Sequence, residues 1–178
     1  MKLSRSILLL SVLLLFGCST VKFEEPQPMN EKLLKSFPKS LIGLYVDNDM
    51  DTLVVNHNFF KYEGEDKYLV TSDLDLELGD AVLKKYKGYY VLSIKSEGLW
   101  DVVLINQKHS NLHVSYINLG DNEEALIHRL EKIVSVEKVD QEDLKSSEYI
   151  IHPSKREFKN IIENNIFSEV LTLTRLDY

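Results

Sequence analysis

Histidine, cysteine and paired carboxylates are the side chains that most often carry chemistry, and here their spacing matches no known kind of site. The histidines are His57, His109, His113, His128 and His152. Two of them are four residues apart, which would bring their rings together on a helix, but residues 109–113 indicate a turn that leads into a strand. There is no His-Glu-x-x-His motif, so the sequence predicts no metal site.

Three aspartates, Asp47, Asp49 and Asp51, alternate as the first ligands of an EF-hand calcium loop do. Such a loop needs glycine at its sixth position and glutamate at its twelfth, where this chain has Thr52 and Asn58. The flanking residues indicate strands, so we predict an acidic hairpin turn. The chain also lacks a Gly-x-Ser-x-Gly motif and a glycine-rich phosphate loop. We therefore predict no catalytic residue and no cofactor.

One stretch, residues 84–90, combines positive charge with aromatic rings. Around a single glycine it contains Lys84, Lys85, Tyr86, Lys87, Tyr89 and Tyr90. Lysine and tyrosine suit charge contact and stacking, so these six residues form a candidate interaction patch for a glycan or an anionic partner. The alternative interpretation is a hairpin tip whose lysines extend their charged ends into solvent.

The N-terminus has the composition of an export signal. Lys2 and Arg5 make it positive, and residues 7–16 are apolar except for one serine. About ten apolar residues are half of what a helix needs to cross a bilayer, which favours a signal peptide over a membrane span. Residues 15–18, Leu-Phe-Gly-Cys, resemble the lipobox of bacterial lipoproteins. The resemblance implies cleavage before Cys18 and a diacylglyceryl group on its sulfur.

The chain as a whole resembles small bacterial outer-membrane lipoproteins of uncharacterised function, especially in residues 149–159, Tyr-Ile-Ile-His-Pro-Ser-Lys-Arg-Glu-Phe-Lys. Ser19 follows the cysteine, whereas lipoproteins retained at the inner membrane often have aspartate there. The resemblance therefore implies a lipid anchor in the outer membrane. It leaves open whether the domain lies on the periplasmic or the surface-exposed face, and it implies no chemistry.

The charge of the chain excludes some partners. The formal net charge is −7, and loss of Lys2 and Arg5 with the signal lowers it by two, to −9. Nucleic-acid binding depends on basic residues that neutralise phosphates, so we expect no such partner. An acidic domain also repels anionic headgroups, so we expect membrane contact through the lipidated Cys18. A lone cysteine makes no intrachain disulfide, so the core must stabilise the fold.

Polar residues and two prolines follow Cys18, which is typical of an extended linker. A short helix or turn is predicted over residues 31–37 because Pro38 ends that run. The predicted organisation is a signal peptide over residues 1–17, a lipid-anchored tether over 18–37 and a single α+β domain over 38–178.

Strand patterns dominate the first two thirds of this domain. They are predicted over residues 41–46, 52–55, 59–62, 67–72 and 73–78, and then in a meander over 80–86, 89–95, 99–106 and 111–118. In the run 99–106, Trp100, Val102 and Leu104 share one face, and the opposite face is apolar too. Such a run predicts a central strand that is covered on both sides.

Helical spacing is confined to the last third. Two amphipathic helices begin near Asp121 and Ser154, each with glutamate three residues later as in a capping box, and strands are predicted over 135–139, 149–151 and 167–176. The fold class is therefore α+β, a mostly antiparallel sheet with two helices. The alternative is a lipocalin-like β-barrel, because residues 41–45 resemble the Gly-x-Trp opening of that family, with Tyr45 in place of the tryptophan.

A lipid anchor without a catalytic motif predicts a non-enzymatic envelope lipoprotein that binds or assembles with another cell-envelope component. The alternative is a carrier of a small hydrophobic ligand, held in a sheet-lined pocket near Trp100, Val102 and Leu104. A hydrolase without a recognisable motif is the third hypothesis, and no residue is assigned to it.

Overall fold

The structure, a computed structural model, describes residues 19–63, 74–141 and 146–176. In these ranges the strands are β1 (Thr20–Phe23), β2 (Leu33–Leu34), β3 (Gly43–Val46), β4 (Thr52–Val55), β5 (Phe59–Glu63), β6 (Leu74–Asp75), β7 (Ala81–Tyr86), β8 (Tyr89–Ser96), β9 (Leu99–Lys108), β10 (Asn111–Tyr116), β11 (Val136–Gln141), β12 (Ser146–Ile151) and β13 (Ser168–Arg175). The helices are α1 (Glu123–Glu131) and α2 (Lys155–Glu163), and a 3₁₀ turn (Gly120–Asn122) precedes α1.

The strands form one curled half-barrel sheet. Its order is β11-β12-β1-β9-β10-β13-β3-β4-β5-β6, and β8, β7 and β2 continue from the other edge of β9. Every pairing is antiparallel except that of β1 with β12. The predicted α+β fold is confirmed. Among the described strands no pairing joins β6 to β2 or β7, so the barrel alternative does not form in this part of the chain.

The meander forms as predicted because its turns suit tight hairpins. Lys87 and Gly88 have φ angles of 52° and 87°, and Glu97 and Gly98 have φ angles of 51° and 89°. Two consecutive residues with positive φ give the turn whose twist matches that of paired strands, and glycine is favoured at the second position.

The central strand β9 separates two hydrophobic cores, as its two apolar faces predict. Val102 and Leu104 lie in a core to which both helices contribute. This core includes the fully buried Phe158. Val103, on the opposite face, lies in the core inside the half-barrel with Leu173. The described segments thus have a helix-covered core and a half-barrel core back to back.

The predicted tether is wrong for the described residues after Cys18. Strand β1 pairs in register with β12 over all four of its residues. Phe23 is 1% exposed, and its ring centroid lies 6.2 Å from that of Phe158. Further along, Lys84 Nζ donates to the carbonyl oxygens of Pro26 at 2.7 Å and Pro28 at 2.9 Å. A proline-rich segment is therefore part of the fold because a buried lysine binds its carbonyl groups.

Other local predictions also differ from the structure. Residues 31–37 contain the short strand β2 rather than a helix. The strand predicted over 73–78 is reduced to β6, and Leu78, in the turn that follows, is 75% exposed. Helix α1 has no capping box, because the 3₁₀ turn contains Asp121 and makes Asn122 the N-cap, without a side-chain bond. The strand predicted over 67–72 and the signal peptide over 1–17 lie outside the described residues.

The capping box of α2 forms as predicted. Ser154 Oγ accepts from the backbone N–H of Glu157 at 3.3 Å, and Glu157 Oε2 accepts from the backbone N–H of Ser154 at 2.8 Å. The strands predicted after α1 and after α2 are β11, β12 and β13. Within the described ranges, neither helix is long and apolar enough to cross a membrane.

Candidate interaction surfaces

The candidate patch of residues 84–90 is divided between the two faces of the β7–β8 hairpin. The register pairs Tyr86 with Tyr89 and Lys85 with Tyr90, so each pair shares one face. Tyr86 and Tyr89 pack against the helix-covered core, whereas Tyr90 packs against the half-barrel core. These rings therefore do not form one surface.

Lys84 is not available to a partner. It is 5% exposed, and its ammonium group is engaged by the two proline carbonyls of the N-terminal segment. Burial lowers the pKa of Lys84, while the carboxylates of Glu25 and Glu31 act in the opposite direction. The prediction that Lys84 belongs to an interaction patch is wrong, because its side chain links β7 to residues 26–28.

Helix α2 occupies the aromatic side of this hairpin. The ring of Tyr86 lies 6.2 Å from that of Phe158, and Lys155 Nζ lies 5.8 Å from the Tyr86 ring centroid. Lys155 also forms an ion pair with Glu31, which lowers the pKa of Glu31 and raises that of Lys155. These contacts are internal to the fold.

The remaining patch residues fit the alternative interpretation of a hairpin tip. Lys85 is exposed and its Nζ lies 5.2 Å from the ring centroid of Tyr90, within cation–π range. Lys87 lies at the turn, with its Nζ 3.9 Å from Glu163 Oε1. The exposed charge is therefore satisfied locally.

A groove of about 450 Å³ lies between α1 and the β11–β12 hairpin. Its apolar floor includes Ile127 and Val136. The other lining residues are three glutamates of α1 (Glu123, Glu124 and Glu131) together with His128, Lys138 and Tyr149. An apolar floor with a polar rim is the usual anatomy of a binding surface.

Tyr149 connects the two sides of this groove. Its hydroxyl donates to Glu123 Oε1 at 2.6 Å. Burial, reinforced by the Glu123 carboxylate, raises the pKa of Tyr149 to about 12. No sequence pattern marks this pair, because Glu123 lies on α1 and Tyr149 lies on β12, 26 positions later.

A smaller groove, of about 180 Å³, lies where β1 and β12 end. His152 Nδ1 is 2.9 Å from Glu24 Oε2 there. The hydrogen bonds of the α2 capping box lower the pKa of Glu157, which also lines this groove. Glu24, His152 and Glu157 thus have partners within their own chain.

The half-barrel contains an apolar cavity of only about 40 Å³. Its lining includes Leu112, Leu173 and Val103, and every lining side chain is apolar except for the hydroxyl of Tyr62. Binding pockets for small molecules measure roughly 300–1,000 Å³. Trp100, Val102 and Leu104, where the pocket was expected, do not line this cavity. They lie on the other face of β9 and pack against the helices.

The acidic turn between β3 and β4 forms as predicted. Asp47 Oδ1 accepts from the backbone N–H groups of Asp49 and Asp51, both at 2.9 Å. The Tyr62 hydroxyl lies 3.3 Å from Asp47 Oδ2 and 3.2 Å from Asp51 Oδ2, so its single proton is shared between the two carboxylates. Within the described ranges, no three histidine, cysteine, aspartate or glutamate residues are grouped so that they could hold a metal ion.

The proposed lipidation residue, Cys18, lies outside the described ranges, one position before Ser19. Ser19 is already part of the fold, since its Oγ accepts from the backbone N–H of Ser147 at 3.1 Å. No family model, curated protein or solved structure matches this chain.

Proposed function

We propose that this chain is a lipid-anchored lipoprotein of the bacterial cell envelope, attached to the outer membrane through Cys18. Its domain acts without enzymatic activity and binds or assembles with another envelope component. The sequence of residues 15–18 supports the anchor. The groove between α1 and the β11–β12 hairpin is the observation that carries the binding role.

The groove suits a protein partner better than a buried small molecule. It is open to solvent along one side of α1, and Ile127 and Val136 give it an apolar floor. Glu124 and Glu131 are exposed at its rim, and Tyr149 joins floor to rim through its bond to Glu123. Apolar contact in the middle and charge at the edge is how protein interfaces combine affinity with specificity.

Site-specific photocrosslinking in intact cells tests this proposal. A photoreactive residue at position 124 should crosslink one envelope protein in good yield. The matched control at Lys108 is equally exposed but lies at the β9–β10 turn, away from the groove, and should not give that product. Absence of a product from position 124, or the same products from both positions, would contradict the binding role.

The anchor is tested by Cys18→Ala. We expect this variant to leave the outer-membrane fraction and to lack the lipid mass, because its sulfur is the proposed attachment atom. If Cys18→Ala remains with the outer membrane, the lipid anchor is not what holds the protein there.

The alternative function is a carrier of a small hydrophobic ligand. The apolar lining of the half-barrel favours it, but the cavity of about 40 Å³ is close to the size of one water molecule. Native mass spectrometry of the gently extracted protein should therefore detect no retained lipid. A stoichiometric adduct besides the anchor would favour the carrier.

A further inference from the structure

Strand β11 forms one edge of the sheet, beside the groove between α1 and the β11–β12 hairpin. Among the described strands it pairs only with β12. An edge strand presents backbone N–H and C=O groups on its open side, where a further strand can pair with them. The groove and this open edge adjoin, because Val136 and Lys138 belong to β11 and also line the groove.

The hydrogen bonds of β12 show which side each of its residues faces. The backbone N–H of Ser147 donates to Ser19 Oγ, and the carbonyl oxygen of Ile151 accepts from the N–H of Glu24, both at 3.1 Å. Residues 147, 149 and 151 therefore direct their backbone groups towards β1, because these groups alternate sides along a strand. The residues between them, at positions 146, 148 and 150, face β11.

The same alternation assigns the residues of β11. Residues 137, 139 and 141 are opposite 150, 148 and 146, so their backbone groups bond to β12. The backbone groups of Val136, Lys138 and Asp140 then face the open side. The ion pair between Lys138 and Asp140 uses side-chain atoms only, and it leaves the backbone of both residues directed outwards.

The α1 side of the groove is acidic. Glu124, Ile127 and Glu131 have the spacing of one helix face, and both glutamates are exposed. With Glu123, three carboxylates line the groove against a single lysine, Lys138. A complementary segment therefore has lysine or arginine side chains towards α1 and an apolar side chain over the floor.

We infer, on the basis of the proposed binding role of this groove, that the partner supplies an extended segment that adds to β11 as a further strand, with basic side chains facing α1. Backbone hydrogen bonds to residues 136, 138 and 140 give affinity and fix the register. Every second side chain of the added strand then enters the groove and gives specificity. A helical partner would fill the groove with side chains and leave the edge of β11 to water.

Proline at position 138 tests the added strand. Because the N–H of Lys138 faces outwards, Lys138→Pro removes no hydrogen bond of the fold and places its ring where the added strand would lie. Lys138→Ala removes the same side chain but keeps the N–H, so it is the matched control. In intact cells with the photoreactive residue at position 124, Lys138→Pro should lower the crosslinking yield about tenfold, and Lys138→Ala should not lower it.

Glu137→Pro tests the alternation itself. The N–H of Glu137 faces β12, where Ile150 is its opposite residue, so this proline removes a hydrogen bond of the sheet. The purified Glu137→Pro variant should unfold at a lower urea concentration than Lys138→Pro. If the two proline variants are equally destabilised, the outward direction of Lys138 is wrong, and so is the added strand.

Reversal of one charge tests the basic side chains of the segment. Glu131→Lys should lower the crosslinking yield from position 124, because it opposes lysine or arginine in the groove. Glu97→Lys changes the net charge equally at the exposed β8–β9 turn and should not lower the yield.

The outcomes separate this inference from the proposed function. Equal yields from Lys138→Pro and Lys138→Ala, or from Glu131→Lys and Glu97→Lys, would overturn this inference alone. Absence of any product from position 124 in the parent would contradict the binding role of the groove, and this inference with it.

Discussion

Replacement of Lys84 by methionine tests whether the N-terminal segment is part of the folded domain. Lys84 Nζ donates hydrogen bonds of 2.7 and 2.9 Å to two proline carbonyls. Hydrogen bonds from a charged donor contribute about 1.5–3 kcal/mol each. Burial of the ammonium group, which lowers the pKa of Lys84, offsets part of this gain. Methionine keeps the apolar stem, so we expect the free energy of unfolding to fall by about 2–4 kcal/mol.

The adjacent residue provides the control. Lys85→Met removes the same charge from the same strand, but Lys85 is exposed and its ammonium group lies over the ring of Tyr90. An exposed cation–π contact contributes about 0.5–1 kcal/mol. Urea denaturation of both purified variants, followed by tryptophan fluorescence of Trp100, gives the two losses directly. If Lys84→Met loses no more stability than Lys85→Met, the hydrogen bonds from Lys84 to the segment before β2 do not stabilise the fold.

Four further substitutions test the helix caps, the groove and the half-barrel. Ser154→Ala should lower the free energy of unfolding by about 1 kcal/mol through loss of the α2 cap. Asn122→Ala should lower it by less, because the α1 cap makes no side-chain bond. Equal losses of the two variants in urea denaturation would contradict this difference between the caps. Tyr149→Phe should cost about 1–2 kcal/mol at neutral pH. Because folding raises the pKa of Tyr149 from 10.0 to about 12, the contribution of its hydroxyl to stability is present below pH 10 and is lost as the pH rises towards 12. Ultraviolet titration of the variant should lack one late-ionising tyrosine. An unchanged titration would refute the assignment. Leu173→Ala should cost about 2–5 kcal/mol and should create affinity for benzene, measured as a rise in melting temperature in benzene-saturated buffer.

The meander and the helix α2 could be predicted because their signals are local. Glycines at positions 88 and 98 mark turns that need positive φ, and Ser154 with Glu157 marks a helix start within four residues. Strand β9 could be predicted as a central strand because both of its faces are apolar, as they must be in a strand with a core on each side.

The N-terminal strand and the groove could not be predicted, because their contacts join distant parts of the chain. Composition marks residues 19–30 as a linker, yet Phe23 is buried against α2 and the following carbonyls bind Lys84. A lysine in an amphipathic strand normally indicates a solvent-facing position. No local sequence pattern predicts that carbonyl groups of residues 26–28 will accept hydrogen bonds from its ammonium group. The groove has the same origin, because Tyr149 of β12 bonds to Glu123 of α1, 26 positions away.

The expected effect of Leu173→Ala separates a filled half-barrel from a ligand-binding one. The side chain of Leu173 is fully buried and lines the cavity of about 40 Å³. An apolar cavity of about 150 Å³ stays dry and binds benzene. Removal of the Leu173 side chain brings the half-barrel cavity closer to that size, provided that the surrounding side chains do not collapse into it. The parent protein should therefore gain no stability from benzene, whereas the variant should. Stabilisation of the parent itself would mean that the half-barrel opens to admit apolar molecules, and the carrier function would then be favoured over the groove.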